Sequence, residues 1–348
     1  MSIPRTYKAF RRSSGDLPRT LELVTEELPS SLHPHEVLIR IHAVSLNYRD
    51  VAMLHGKYAV DVKESGIPAS DCAAEVIAVG SEVKDFAVGD RVAPIFDLNN
   101  LTATEDEMAA LGGDVDGVLR QFAVFDQKVL VHLPTHLSWE EAACITCAGA
   151  TAWTALDMPE STDKGRVALL QGTGGVSMFA LLICLAAGIR PIITSSSDQK
   201  LDIARSLGEP GAVDVINYRT HPKWEEEALR LTNGRGVDIV LENVGATTIA
   251  QSIASLARRG TASLVGFLGG LNPENPPNTV HLLLAKTAMM KGIAGGSKID
   301  QQNLCRFLAE KKVQLQPILD EVFAFEDSNA AFDHLYAAKH MGKVIIKM

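Results

Sequence analysis

The chain has 348 residues, 46% of them hydrophobic, which is enough for two domains of roughly 150 residues each. Its formal charge of −9 argues against nucleic acid or an anionic membrane surface as the main partner. Five cysteines, Cys72, Cys144, Cys147, Cys184 and Cys305, are too few and odd in number for a disulfide framework, and they read as reduced thiols of a cytoplasmic protein.

The polar, basic start at residues 1–12 is not expected to be a signal peptide, and residues 346–348 match no retention or peroxisomal address. Residues 36–44 alternate apolar and polar side chains, which predicts a half-buried strand. Residues 73–79 form a second strand candidate that stops at Gly80, and Gly89-Asp90 turns into a third over 88–92. Such glycine-punctuated spacing suits a small barrel-like β domain. Near Ser138 the pattern changes: Ser138 with Glu141 three positions on is a capping box opening a helix. Strands are then predicted at 166–171, 190–194, 213–217, 239–243 and 262–267. Helices are predicted at 177–187, closed by Gly188, and at 198–207, closed by Gly208. This alternation predicts an α/β fold with a parallel, doubly wound sheet. The stretch 176–193 is apolar but too short and interrupted to span a bilayer. A closing strand is expected at 342–346, and the chain shows neither repeats nor low complexity.

The strongest local signal is Gln171-Gly172-Thr173-Gly174-Gly175-Val176-Ser177, which follows an apolar strand and opens an apolar helix. That is the setting of a dinucleotide fingerprint. Gly172 lets the chain turn, and Gly174 and Gly175 remove side chains where backbone must approach a pyrophosphate. The helix start then offers unpaired N–H groups and a positive dipole end. The next strand ends Thr194-Ser195-Ser196-Ser197-Asp198-Gln199-Lys200, with a serine where an NAD enzyme usually carries Asp or Glu. Ser195, Ser196 and Lys200 suit a 2′-phosphate, so NADP(H) is the expected cofactor, with Arg219 a weaker phosphate candidate. The same serines and Asp198 could instead only cap the following helix.

The order of the β domain, Gly-Thr-Gly-Gly-Val-Ser, Ile216-Asn217-Tyr218, Glu242-Asn243-Val244-Gly245, Gly266-Phe267-Leu268-Gly269-Gly270 and Gly342-Lys343-Val344-Ile345-Ile346 resembles the medium-chain dehydrogenase/reductases. Ser45-Leu46-Asn47-Tyr48-Arg49-Asp50 and Gly295-Gly296-Ser297 are most similar to the quinone oxidoreductase-like, zinc-free alcohol dehydrogenase-like branch. The resemblance implies a GroES-like catalytic domain from 1–147 and 290–348, with a Rossmann domain inserted at 148–289. It also implies cofactor contacts at Thr151, Tyr218, Asn243, Val244, Gly266, Phe267, Leu268 and Ser297, and a possible homodimer through a sheet edge such as Leu264-Val265-Gly266-Phe267.

Zinc-dependent relatives carry cysteine, histidine and cysteine at three ligand positions. Here they are Asn47, Asp71 and Cys147, a poor set for catalytic zinc. The loop at 97–120 lacks the clustered cysteines of a structural zinc site, and Cys144-Ile145-Thr146-Cys147 reads as buried structural thiols. No metal is therefore expected. Asn47, Tyr48 and Asp71 are the candidates for holding charge on a substrate oxygen during hydride transfer, each with a structural alternative. The expected activity is NADPH-dependent reduction of an enone or quinone C=C, or of a ketone or aldehyde C=O, in a small molecule. Two other readings stand beside it: an NADPH-binding protein with a regulatory or structural role, and a zinc alcohol dehydrogenase using Asp71, Cys147 and a histidine such as His55.

Overall fold

A computed structural model describes residues 3–58, 60–158, 165–270 and 277–348. The chain divides into two compact units, residues 1–150 with 296–348, and residues 151–295.

The first unit opens with an antiparallel hairpin, β1 (Thr6–Arg12) and β2 (Leu21–Glu27). Then come β3 (Glu36–Ser45), the short helix α1 (Tyr48–Leu54), β4 (Asp71–Val79), β5 (Arg91–Pro94), β6 (Phe122–Asp126) and β7 (Leu130–His132). The predicted strand at 36–44 is more buried than its alternation suggests, because β3 is flanked by β4, β6 and a strand from the far end of the chain. Ser138 caps α2 (Trp139–Ala142) through the expected box: its hydroxyl accepts from the Glu141 N–H, and the Glu141 carboxylate accepts from the Ser138 N–H at 2.9 Å. A π-helical turn at Ile145–Gly149 follows.

The second unit starts in α3 (Ala150–Ala155) and continues β8 (Val167–Leu170), α4 (Gly175–Ala187), β9 (Arg190–Ser195), α5 (Asp198–Ser206), β10 (Asp214–Asn217), α6 (Trp224–Leu231), β11 (Val237–Glu242), α7 (Ile249–Ser255), β12 (Leu256–Leu264), α8 (Thr279–Lys286) and β13 (Met289–Gly292). The sheet order is β10-β9-β8-β11-β12-β13, and all its pairs are parallel. Leu169, Ile192, Val240 and Ala262 from its inner strands are wholly buried, with Trp224, Ala228, Ile249 and Ile253 packed on them. Each fully buried leucine, isoleucine or valine side chain of this kind stabilises by about 1.5–3 kcal/mol. From β8 the chain winds outward one way through β9 and β10, and from β11 it winds the other way. The carboxyl ends of β8 and β11 are thus the switch point where a doubly wound sheet opens a crevice.

The chain then returns to the first unit as α9 (Lys298–Lys311), β14 (Leu319–Ala324), α10 (Ser328–Tyr336) and β15 (Lys343–Lys347). β15 completes the sheet β14-β15-β3-β4-β5-β7, pairing antiparallel with β3 so that Ile345 faces Ser45.

Three expectations need correction. Residues 265–267 leave the sheet after β12, and β12 lies between β11 and β13, so Leu264-Val265-Gly266-Phe267 is not an edge; the edges are β10 and β13. Helix α5 ends at Ser206 with Leu207 still right-handed, and Gly208 serves packing, since a Cβ there would lie 3.0 Å from Leu185 Cδ2. The second unit runs through residue 295, beyond the boundary expected at 290, because β13 is hydrogen-bonded to β12. Among the described residues no helix is long and apolar enough to cross a membrane.

Candidate functional site

In the second unit, Gly172 leaves β8 with φ +76°, a conformation glycine adopts without strain. Gly174 is the N-cap of α4 and supplies no side-chain cap, so the first-turn N–H groups have no capping side chain to accept from them. A Cβ built on Gly174 meets nothing within 4 Å, which leaves the space in front of the helix start clear. Thr173 is buried while Gly174 is exposed, so the loop presents backbone. Gly175 and Val176 form the half-buried first turn of α4, and Ser177 is buried beneath it, its hydroxyl donating to the Gln171 carbonyl at 2.7 Å.

The loop after β11 is tied to this one. The Asn243 amide donates to the Gln171 carbonyl and to Ser177 Oγ, both at 2.9 Å. Glu242 is wholly buried and accepts from Gln171 Nε2 (2.9 Å), the Val244 N–H (2.9 Å), the Gly245 N–H (2.8 Å), Thr248 Oγ1 (2.7 Å) and Ser252 Oγ. Gly266 follows β12 where a Cβ would lie 2.6 Å from the Asn243 carbonyl oxygen, so only glycine fits. Phe267 is half-buried, Leu268 exposed and Thr151 buried in α3. Sequence reasoning missed Gln171 and Glu242, the polar residues that hold these loops together.

At the end of β9, Ser195 is only 4% exposed and its Oγ accepts the Ser197 N–H at 3.3 Å. Ser197, rather than Asp198, caps α5, taking the Lys200 N–H at 3.4 Å. Ser196 and Lys200 are half-buried in the first stretch of that turn, and Tyr218 and Arg219 are exposed after β10.

In the first unit the three residues at the ligand positions come together around a fourth. Asp71 and Lys343 are buried, and the Lys343 ammonium donates to the Leu46 carbonyl at 2.7 Å and to Asn47 Oδ1 at 2.5 Å. Asp71 Oδ2 lies 3.8 Å from the same ammonium. The carboxylate also accepts from Ser70 Oγ at 2.6 Å and from the Cys147 N–H of the π-helical turn at 3.1 Å. Burial pushes the Asp71 carboxyl above its usual range; Lys343, Ser70, Asn47 and the Cys147 N–H pull the other way without cancelling it. Asp71 is shut off from solvent. The half-buried Cys147 has its thiol pushed up to about 12 by desolvation, with the Asp71 charge adding to this. Cys144 is also pushed up to about 12 by burial. Both are free thiols, inert as nucleophiles near neutral pH.

Asn47 precedes α1, and its N–H donates to the buried Asp50 carboxylate at 2.8 Å. Burial raises the Asp50 carboxyl against the nearby Arg49 charge. Tyr48, the first residue of α1, is 45% exposed, and its hydroxyl makes no hydrogen bond among the described residues. His55, at the far end of α1, stacks on Tyr336 with ring centroids 3.8 Å apart. Ser297 caps α9, its Oγ bonded to Asp300. The metal-like trio among the described residues, Asp320, Glu321 and His334, includes none of the positions singled out from sequence.

The chain matches the alcohol dehydrogenase GroES-like domain over residues 33–135 and the zinc-binding dehydrogenase family over residues 175–310. It is 39% identical over 329 residues to a zinc-type alcohol dehydrogenase-like protein of Schizosaccharomyces pombe, covering 92% of this chain and 93% of that one. It is 28% identical to quinone oxidoreductase-like protein 2 of Bos taurus, over 99% of this chain and 93% of the relative. The solved structure of a Sinorhizobium meliloti 1021 protein, provisionally assigned as an alcohol dehydrogenase, superposes with a TM-score of 0.88 at 33% identity, covering all (100%) of both chains. The chain therefore belongs to the medium-chain dehydrogenase/reductases, oxidoreductases that use a nicotinamide cofactor.

Proposed function

We propose that this protein is a cytoplasmic, NADPH-dependent reductase of small carbonyl compounds that works without zinc. The observation that carries the reading is the Asn47–Asp71–Cys147–Lys343 arrangement. Zinc takes unprotonated thiolate, imidazole or carboxylate donors. Here the Asn47 oxygen already accepts from an ammonium, and the Asp71 oxygens accept from a hydroxyl and an N–H, with that ammonium 3.8 Å away. These residues do not fit the metal that the family name implies.

NADPH fits the glycine loop: Gly174 leaves room in front of uncapped N–H groups, and Ser195 stands where a carboxylate would repel a 2′-phosphate. Bound NADPH supplies a hydride to the β carbon of an enone or quinone, or to a carbonyl carbon. The chain's task is to hold the substrate oxygen as charge gathers on it. The Tyr48 hydroxyl is the proton donor to that oxygen, and Asn47, braced by Asp50, sits beside it. Asp71 orients the neighbours it touches. An enolate spreads its charge and needs less help than an alkoxide, which favours C=C reduction.

The exposed edge strand β13, with Met289 61% and Met290 40% exposed, is the face on which a second copy would pair. The deciding experiment follows NADPH consumption by EDTA-treated protein against enones, quinones, ketones and aldehydes, with products identified. Turnover at a metal content far below one zinc per chain is expected. Tight NADPH binding without turnover, or activity restored only by zinc, would overturn the reading.

A further inference from the structure

We propose that Lys343 is a positioning residue of this site, a cation built into the last strand that grips the Asn47–Tyr48 turn and supplies the counter-charge of Asp71. The inference rests on the reductase reading and adds to it a residue from the opposite end of the chain.

The register of the sheet brings Lys343 there. Ile345 pairs with Ser45 and Ile346 with Val44, and the Leu46 N–H donates to the Val344 carbonyl at 3.0 Å, so continuing the ladder sets Lys343 against Asn47. Gly342 makes the approach possible: its φ is +80°, and a Cβ there would collide with the Ile318 carbonyl. At 2% side-chain exposure the ammonium would be costly without partners. Its hydrogen bonds go to Leu46 and Asn47, and the remaining charge is met by Asp71 at 3.8 Å. All three partners belong to the strand ends that carry the ligand positions.

Two consequences follow for Asn47. With Oδ1 held on the ammonium, the amide has one orientation, and Nδ2 lies on the Ser70 side, 3.5 Å from Ser70 Oγ. With the Leu46 carbonyl also held, the backbone immediately before Tyr48 is fixed from behind, while Asp50 fixes it from the helix side. Removing the ammonium frees the amide to rotate and leaves Asp71 buried beside no counter-ion. Positioning of this kind affects the chemical step more than cofactor binding.

The test is a double-mutant cycle on the intact protein, using the best substrate of the panel above. Lys343→Met is expected to lower kcat/KM at least about tenfold while NADPH Kd stays within about twofold. In an Asn47→Ala background the same change should cost less than about twofold, because the partner through which Lys343 acts is gone. If Lys343→Met fails to fold, the cycle is run in Asp71→Asn, where the buried pair is neutral. Unchanged kcat/KM in Lys343→Met, equal losses in both backgrounds, or a parallel loss of NADPH affinity would each overturn the inference alone. A wild-type protein that turns over nothing in the panel would bring down the reductase reading and this inference together.

Discussion

Glu242 in one unit and Asp71 in the other are carboxylates buried where a candidate site is built, and the two are satisfied differently. Glu242 is surrounded by neutral donors, and four of the five lie within ten residues after it or on it: Val244, Gly245, Thr248 and Ser252, with Gln171 from the neighbouring strand end. Asp71 relies on Ser70 next to it, on Cys147, and on an ammonium from residue 343. A charge held by local N–H and O–H dipoles organises a loop, and a charge held by a distant cation ties separate strands together. The Rossmann-like unit therefore presents backbone, and the other unit presents an assembled set of side chains.

Glu242→Leu should break the first arrangement most severely. It strands several buried donors at once, and a loss of about 3–5 kcal/mol is expected in denaturant unfolding. A loss under about 1 kcal/mol would mean that the donors find other partners. Gly174→Val separates binding from folding in the same unit. The side chain points into open space, so the melting temperature should hardly move, while NADPH affinity falls at least about tenfold, or about 1.4 kcal/mol. Unchanged affinity would place the phosphates elsewhere.

Ser195→Asp should narrow or reverse the preference for NADPH over NADH by about tenfold, through repulsion of the 2′-phosphate. Ser195 is nearly buried and bonded to the Ser197 N–H, so an unchanged ratio would leave it with a turn-forming role alone. Tyr48→Phe should lower kcat by about tenfold with little change in NADPH affinity, and unaffected turnover would remove Tyr48 as the donor.

The smallest effect belongs to a structural tie in the first unit. Although burial pushes the Glu141 carboxyl up, the N–H groups of Ser138, Leu315 and Gln316 outweigh it and hold it below the ordinary 4.5. A folded-state value below the unfolded one contributes stability that is present above 4.5 and is lost as pH falls through the folded value. Glu141→Gln keeps an acceptor oxygen and should cost about 0.5–1 kcal/mol at pH 7, with the gap to wild type closing in acid. A gap independent of pH would show that shape rather than charge matters there.

Much of the fold was legible because its signals are local. The Ser138–Glu141 box, the Gly188 cap and the strand-to-helix turn at Gly172 depend on neighbours a few residues away, and each formed as read. The edge of the Rossmann sheet was misplaced because β13, with the sequence Met-Met-Lys-Gly, has neither alternation nor an apolar run to announce it. β1, β2 and the helices from α6 onward also escaped notice. Helix α9, for example, carries Leu304 and Leu308 inward among polar residues, a pattern too sparse to stand out before packing is known.

The sequence by itself determined the family, the two kinds of domain and the glycine loop, because period, capping and positive-φ positions act within a few residues. It also picked out Asn47, Asp71 and Cys147, on the expectation that they stand at the positions of a metal-ligand set. Only the tertiary structure decided what fills their company. Lys343 stands in the closing Gly-Lys-Val-Ile-Ile motif with nothing local to mark it as a site residue, and it joins Asn47 because the antiparallel register of β15 on β3 brings residue 343 against residue 47, a pairing settled by the sheet as a whole.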